Sequence, residues 1–214
     1  MYFGVWRQLT MFCINLSGSS MQEVDVFPSF LGSPDLDDSD YVTQKMMPFI
    51  QHFYEFSIDE LLALYADGIT PEYRVATMVS DMRAVCAVDE VAKVIANVSA
   101  SLVYRYLTTF SPVLTGAATP GTSKNYAYSG IDLDAFFDAM PTTVQSDVQL
   151  DFVRSVRAFA LEFARDGVVG NWNRFPRTVY NVSTVVSPMT PRSASKECDF
   201  WRLHAFFPLY AWIN

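Results

Sequence analysis

Only five side chains offer an imidazole or a thiol, namely His52, His204, Cys13, Cys86 and Cys198. Acid–base chemistry by imidazole near neutral pH therefore has two possible addresses. His52 precedes a predicted helix and His204 lies in an aromatic tail, and both read as surface or packing residues. Hydrolysis by a serine nucleophile needs a G-x-S-x-G elbow, a histidine to take the hydroxyl proton, an acid to orient it and backbone N–H groups for the oxyanion. The 214 residues contain neither a G-x-S-x-G nor a Gly-Gly pair. The cysteines show no C-x-x-C or His-rich spacing, so no metal site is expected. The acidic run at 33–40, SPDLDDSD, reads as a solvated loop or helix entry, because the spacing and glycine of a calcium-binding EF-hand are absent.

These residues depend on elements that the pattern outlines. Residues 9–16, LTMFCINL, form a short apolar run ahead of Ser17-Gly18-Ser19-Ser20, which predicts a buried strand entering a turn. Ser57-Ile-Asp-Glu60 is a capping-box pattern that predicts a short helix ending near Gly68. Val75, Met78, Val79, Met82, Val85 and Cys86, then Val91, Val94 and Ile95, recur at helical spacing and predict one or two core helices. Residues 101–110, SLVYRYLTTF, predict a strand with alternation at Val103, Arg105 and Leu107. A long Gly/Pro/Ser/Thr-rich loop fills 111–128. A short helix is expected over 132–140, stopped by Pro141. Residues 147–166 predict the clearest helix, with Phe152, Val156, Phe159 and Phe163 as its stripe and Gly167 as its stop. Beyond it the chain reads as proline-punctuated coil and an aromatic tail.

Composition bounds the rest. Half of the residues are hydrophobic, with 17 Phe, 11 Tyr and 4 Trp, which is ample for a packed core. The formal net charge is -8 without any Lys/Arg cluster, which argues against nucleic acid as a partner. No apolar run is long enough for a transmembrane segment. Arg7 interrupts the apolar N-terminus, which makes a poor signal peptide. Sequons at Asn15, Asn97 and Asn181 are candidate glycosylation sites and favour a secretory route. Alternating strands and helices indicate an α/β class, with two strands, too few for a complete doubly wound sheet.

Six patterns stand in one order. They are Leu16-Ser-Gly-Ser-Ser-Met-Gln-Glu23-Val-Asp-Val-Phe27, Asp81-Met-Arg-Ala-Val-Cys86, Val103-Tyr-Arg-Tyr106 with Phe110, Tyr128-Ser129-Gly130-Ile131-Asp132-Leu-Asp134-Ala-Phe136-Phe137, Phe159-Ala-Leu-Glu-Phe163-Ala164-Arg165-Asp-Gly167 with Trp172 and Phe175, and Glu197-Cys198-Asp199-Phe200-Trp201. Together they resemble the cholinesterase/type-B carboxylesterase family of α/β-hydrolases. Gln22 and Val24 depart from the family's acid-bearing motif, and residues 28–70 match poorly.

The resemblance implies the C-terminal part of an α/β-hydrolase fold, with few sheet strands, several helices and long loops, as a single partial domain over residues 1–214. It places Glu23 at the triad acid, now vestigial, and Ser129 at the position of the family's catalytic histidine. It pairs Cys86 with Cys198 in a disulfide, and Cys13 reads as a core thiol. A hydroxyl cannot take up a proton near neutrality as imidazole does. The family's elbow and oxyanion loop precede the acid, so that half is expected to lie upstream of this sequence. The implied ancestry is carboxylic ester hydrolysis without a cofactor, with a small-molecule ester as partner, in a secreted protein. This chain is expected to be inactive alone. The alternative is a non-catalytic neuroligin-like adhesion or scaffold protein with protein partners, or a gene remnant; serine at 129 suits the adhesion reading.

Overall fold

A computed structural model of the chain describes residues 15–17, 57–66, 77–78, 80–98, 100, 102–110, 127, 130–140, 147–191 and 195–204. Four strands form one sheet in chain order: β1 (Asn15–Ser17), β2 (Tyr106–Thr108), β3 (Val179–Val182) and β4 (Val186–Met189). β1, β2 and β3 run parallel, with Leu107 opposite both Leu16 and Asn181. β4 returns antiparallel to β3, pairing Val182 with Val186. Parallel strands need a crossover. The chain between β1 and β2 includes α1 (Ile58–Leu64) and α2 (Cys86–Val98), and that between β2 and β3 includes α3 (Ile131–Phe137) and α4 (Asp147–Asp166). α5 (Lys196–Leu203) follows the sheet.

β2 is buried on both faces, as expected of a strand covered by helices on two sides. Its alternation sorts the core. Tyr104, Tyr106 and Phe110 join Phe152, Val156, Phe159 and Phe163 of α4, while Val103 and Leu107 join Val85, Ala92, Phe175 and Val179 on the α2 side. α4 has the bounds and the apolar stripe that the sequence predicts, and Gly167 follows it at φ 70°. Phe110 stacks on Phe152 with centroids 4.3 Å apart. The structure is thus of α/β class, with helices on both faces of a mixed sheet.

Several expectations are corrected. The sheet has four described strands, not two. β3 and β4 occupy the stretch read as coil, where Pro188 is tolerated because β4 is the edge strand among the described residues. Only residues 15–16 of the run 9–16 fall in β1, and the rest lie outside the described residues. Ser57 is the N-cap of α1, but its side chain makes no capping bond, and Asp59 and Glu60 supply the favourable first-turn charge instead. α3 ends at Asp138, which takes the left-handed conformation at φ 63°, before Pro141 is reached. A π-helical turn, Asp81–Val85, runs directly into α2. Val91 and Val94 of α2 are 52% and 60% exposed rather than core. The loop over 111–128, apart from Ala127, and the residues His52, Gly68 and Cys13 lie outside the described residues. Among the described residues no helix is long and apolar enough to cross a membrane.

Candidate functional site

α2 is anchored at two points. Cys86 opens the helix and is bonded to Cys198 in α5, with a Cα–Cα distance of 5.2 Å. That lies inside the usual disulfide window. Three residues on, Asp89 accepts from Arg105 Nε at 2.8 Å, and both side chains are 1% exposed. Arg105 also donates to the Tyr106 carbonyl. Burial pulls the guanidinium below its ordinary value and Asp89 pushes it back up. Beside the disulfide, Trp201 Nε1 donates to Tyr65 Oη at 2.8 Å, and Tyr65 Oη donates to Asp81 Oδ2 at 3.2 Å. This ties α1, the π-helical turn and α5 into one buried polar unit.

On the opposite face, β2 and α3 bring a second pair together. Gly130 sits at φ 83°, a conformation that glycine adopts without strain, and its carbonyl accepts from Asp134 N at 2.9 Å to close the first turn. Asp132 thereby enters the core, where its Oδ2 accepts from Tyr106 Oη at 3.0 Å. Burial raises the Asp132 carboxyl above the usual range, and the Tyr106 hydrogen bond partly opposes this. Burial first, and then Asp132, push the Tyr106 phenol well up, so it stays a donor. Tyr106 is packed against Phe159 and Trp172, and Trp172 stacks on Tyr180 at 4.2 Å. The pair fixes a carboxyl three residues after position 129. It can hold a proton and anchor the start of α3. Among the described residues it meets neither a nucleophile nor an imidazole.

The sequence-derived candidates divide as follows. Glu23 and Ser129 lie outside the described residues, so their mutual placement is not on view. Cys86 and Cys198 are brought together. His204 caps α5, with its ring 4.5 Å from that of Phe200. Asn15 stands on β1, paired through its backbone with Tyr106. Asn97 is exposed in the last turn of α2. Asn181 is half-buried on β3, and its Oδ1 accepts from Thr109 Oγ1 at 2.5 Å. Sequence reasoning missed the Arg105–Asp89 and Tyr106–Asp132 pairs. The available signal was a charge inside SLVYRYLTTF and acids inside otherwise apolar helices, since a buried charge must find a partner. Among the described residues no cluster of His, Cys, Asp or Glu could hold a metal ion.

No protein-family model matches this chain, and no curated protein matches it. Among solved structures it is similar to a PNB esterase at 13% identity and a TM-score of 0.39, over 82% of this chain. The chain spans 35% of that structure's length. A likeness this loose decides neither fold nor activity. What is established is an α/β arrangement with a buried disulfide and two buried polar pairs on opposite faces of β2.

Proposed function

We propose that the chain is the C-terminal portion of a carboxylic ester hydrolase-like domain of the type-B carboxylesterase/cholinesterase kind, and that it hydrolyses no ester by itself. The observation that carries the reading is the Cys86–Cys198 link. The order of motifs implied that pairing, and the two cysteines meet at the junction of α2 and α5. A strand bearing V-Y-x-Y between two parallel neighbours, followed by a helix led by Gly130-Ile131-Asp132, supports the same reading. Glu23 is the vestigial triad acid and Ser129 holds the place of the base. Secretion suits a protein with a disulfide, which forms and persists in oxidising compartments.

The chemistry explains the proposed inactivity. Serine acylation requires a general base within hydrogen-bond reach of an activated hydroxyl, and oxyanion donors aimed at the developing charge. Neither the elbow nor a glycine-rich oxyanion loop occurs in the 214 residues, and position 129 carries a hydroxyl with no basicity at neutral pH. The Asp132 carboxyl is engaged with Tyr106 and raised by burial, which suits an anchoring role. Labelling with a fluorophosphonate, which bonds only activated serines, tests this. No serine of the purified chain should be labelled, and a phosphonylated serine recovered by peptide mapping would refute the proposal.

A further inference from the structure

α2 packs Ala92, Val88 and Ile95 into the core and still carries apolar residues on its water-facing side. Cys86, Asp89 and Ala92 are buried along one side of the helix. Val91, Val94 and Val98, spaced three and four apart, form the opposite stripe and are 52%, 60% and 78% exposed. Three valine side chains fall far short of the roughly 800 Å² per partner of a standard protein–protein interface, so a second copy is a poor occupant. The sequence supplies another. Asn97-Val98-Ser99 is a sequon, Asn97 is exposed, and it lies one turn from Val94 and next to Val98. The other two sequons are set differently. Asn15 lies in β1, and Asn181 stands on the face of β3 shared with Val179, with its amide oxygen bonded by Thr109.

We infer that Asn97 carries an N-linked glycan whose first sugars lie over the Val91–Val94–Val98 stripe. The inference rests on the secretory placement above. In the transfer, Asn97 Nδ2 attacks C1 of a lipid-pyrophosphate-linked oligosaccharide. The N–C1 bond forms, the C1–O bond breaks, the amide loses one proton and the lipid pyrophosphate leaves. A bulky, solvated group fixed at the end of the stripe covers it without any partner protein. At Asn181 the Thr109 bond to Oδ1 fixes the amide, and the same group on Nδ2 would have to emerge from the α2-facing side of the sheet, so the folded chain leaves Asn181 bare.

The test expresses the full chain behind a cleavable leader in a secreting eukaryotic cell, beside Asn97→Gln and Asn97→Gln combined with Val91→Ser, Val94→Ser and Val98→Ser. Secreted material is digested without reductant, deglycosylated in heavy-oxygen water and mapped. The expected result is a mass mark at Asn97 and none at Asn181. Asn97→Gln should lose that glycan and bind more of a hydrophobic dye, and the three serines should reverse the dye binding. A bare Asn97 alongside linked Cys86 and Cys198 peptides would overturn the inference and leave the secretory reading standing. A bare Asn97 with both cysteines free would overturn both. Dye binding unchanged by Asn97→Gln, or not reversed by the serines, would overturn the shielding role.

Discussion

Replacing Asp89 by Ala should be among the most damaging single changes at the described charged residues. Asp89 and Arg105 are each 1% exposed, with Nε and Oδ1 2.8 Å apart. Truncation leaves a guanidinium in the core between α2 and β2, and removing one partner of a buried ion pair costs about 3 to 5 kcal/mol. Domains of ordinary size are stable by about 5 to 15 kcal/mol, so the loss is a large share of the total. It corresponds to a melting-temperature drop of roughly 6 to 20 °C for a chain of this length. Urea denaturation followed by circular dichroism, extrapolated linearly, reads the difference. Asp151→Ala is the control, because its ion pair with Arg154 is 54% and 74% exposed and worth about 0 to 1 kcal/mol. The double variant Asp89→Leu/Arg105→Met removes both charges and should recover most of the loss, since apolar replacement of a buried pair is often neutral or stabilising. An Asp89→Ala cost no larger than that of Asp151→Ala would refute the reasoning, as would a double variant as unstable as the single one.

Three further outcomes follow from the same structure. Cys86→Ser should destabilise by about 4 to 5 kcal/mol in the chain-entropy model, because the bond closes a loop over a separation of 112 residues; denaturation with and without reductant measures it. The raised Asp132 carboxyl binds its proton more tightly folded than unfolded, so stability is greatest below the ordinary carboxylate range and falls as pH rises from there through the folded value. Asp132→Asn should flatten that decline in a pH series of urea midpoints, and an unchanged slope would contradict it. Phe152→Ala removes a fully buried ring stacked on Phe110 and should cost about 3 to 5 kcal/mol by thermal unfolding.

The sequence made α4 legible because Phe152, Val156, Phe159 and Phe163 keep helical period and Gly167 supplies the left-handed stop. β2 was legible for a similar reason, as its β-branched and aromatic residues alternate between two faces. β3 and β4 were hidden by Pro176 and Pro188, and by the polar Asn181, Ser183 and Thr184, which read locally as coil. Their strand character comes from pairing with β2, a tertiary effect. α2 misled for a different reason. Periodicity favoured its valines as the inner face, but the bond from Cys86 to Cys198 and the pair from Asp89 to Arg105 turn the helix so that Val91 and Val94 face outward. The cysteine pair was legible only through motif order, since spacing alone does not assign connectivity. Asp132 escaped notice because an acid in a helix's first turn is ordinary. Its burial depends on Tyr106, which is remote in sequence.

Under the proposed function this polypeptide keeps a frame of the ester hydrolase kind and performs no ester hydrolysis alone. Steady-state hydrolysis of p-nitrophenyl acetate and butyrate by the purified, disulfide-linked chain decides the matter. The expected rate equals that of buffer with denatured chain at every protein concentration. Turnover that rises in proportion to folded protein and is abolished by a serine-directed organophosphate would contradict it.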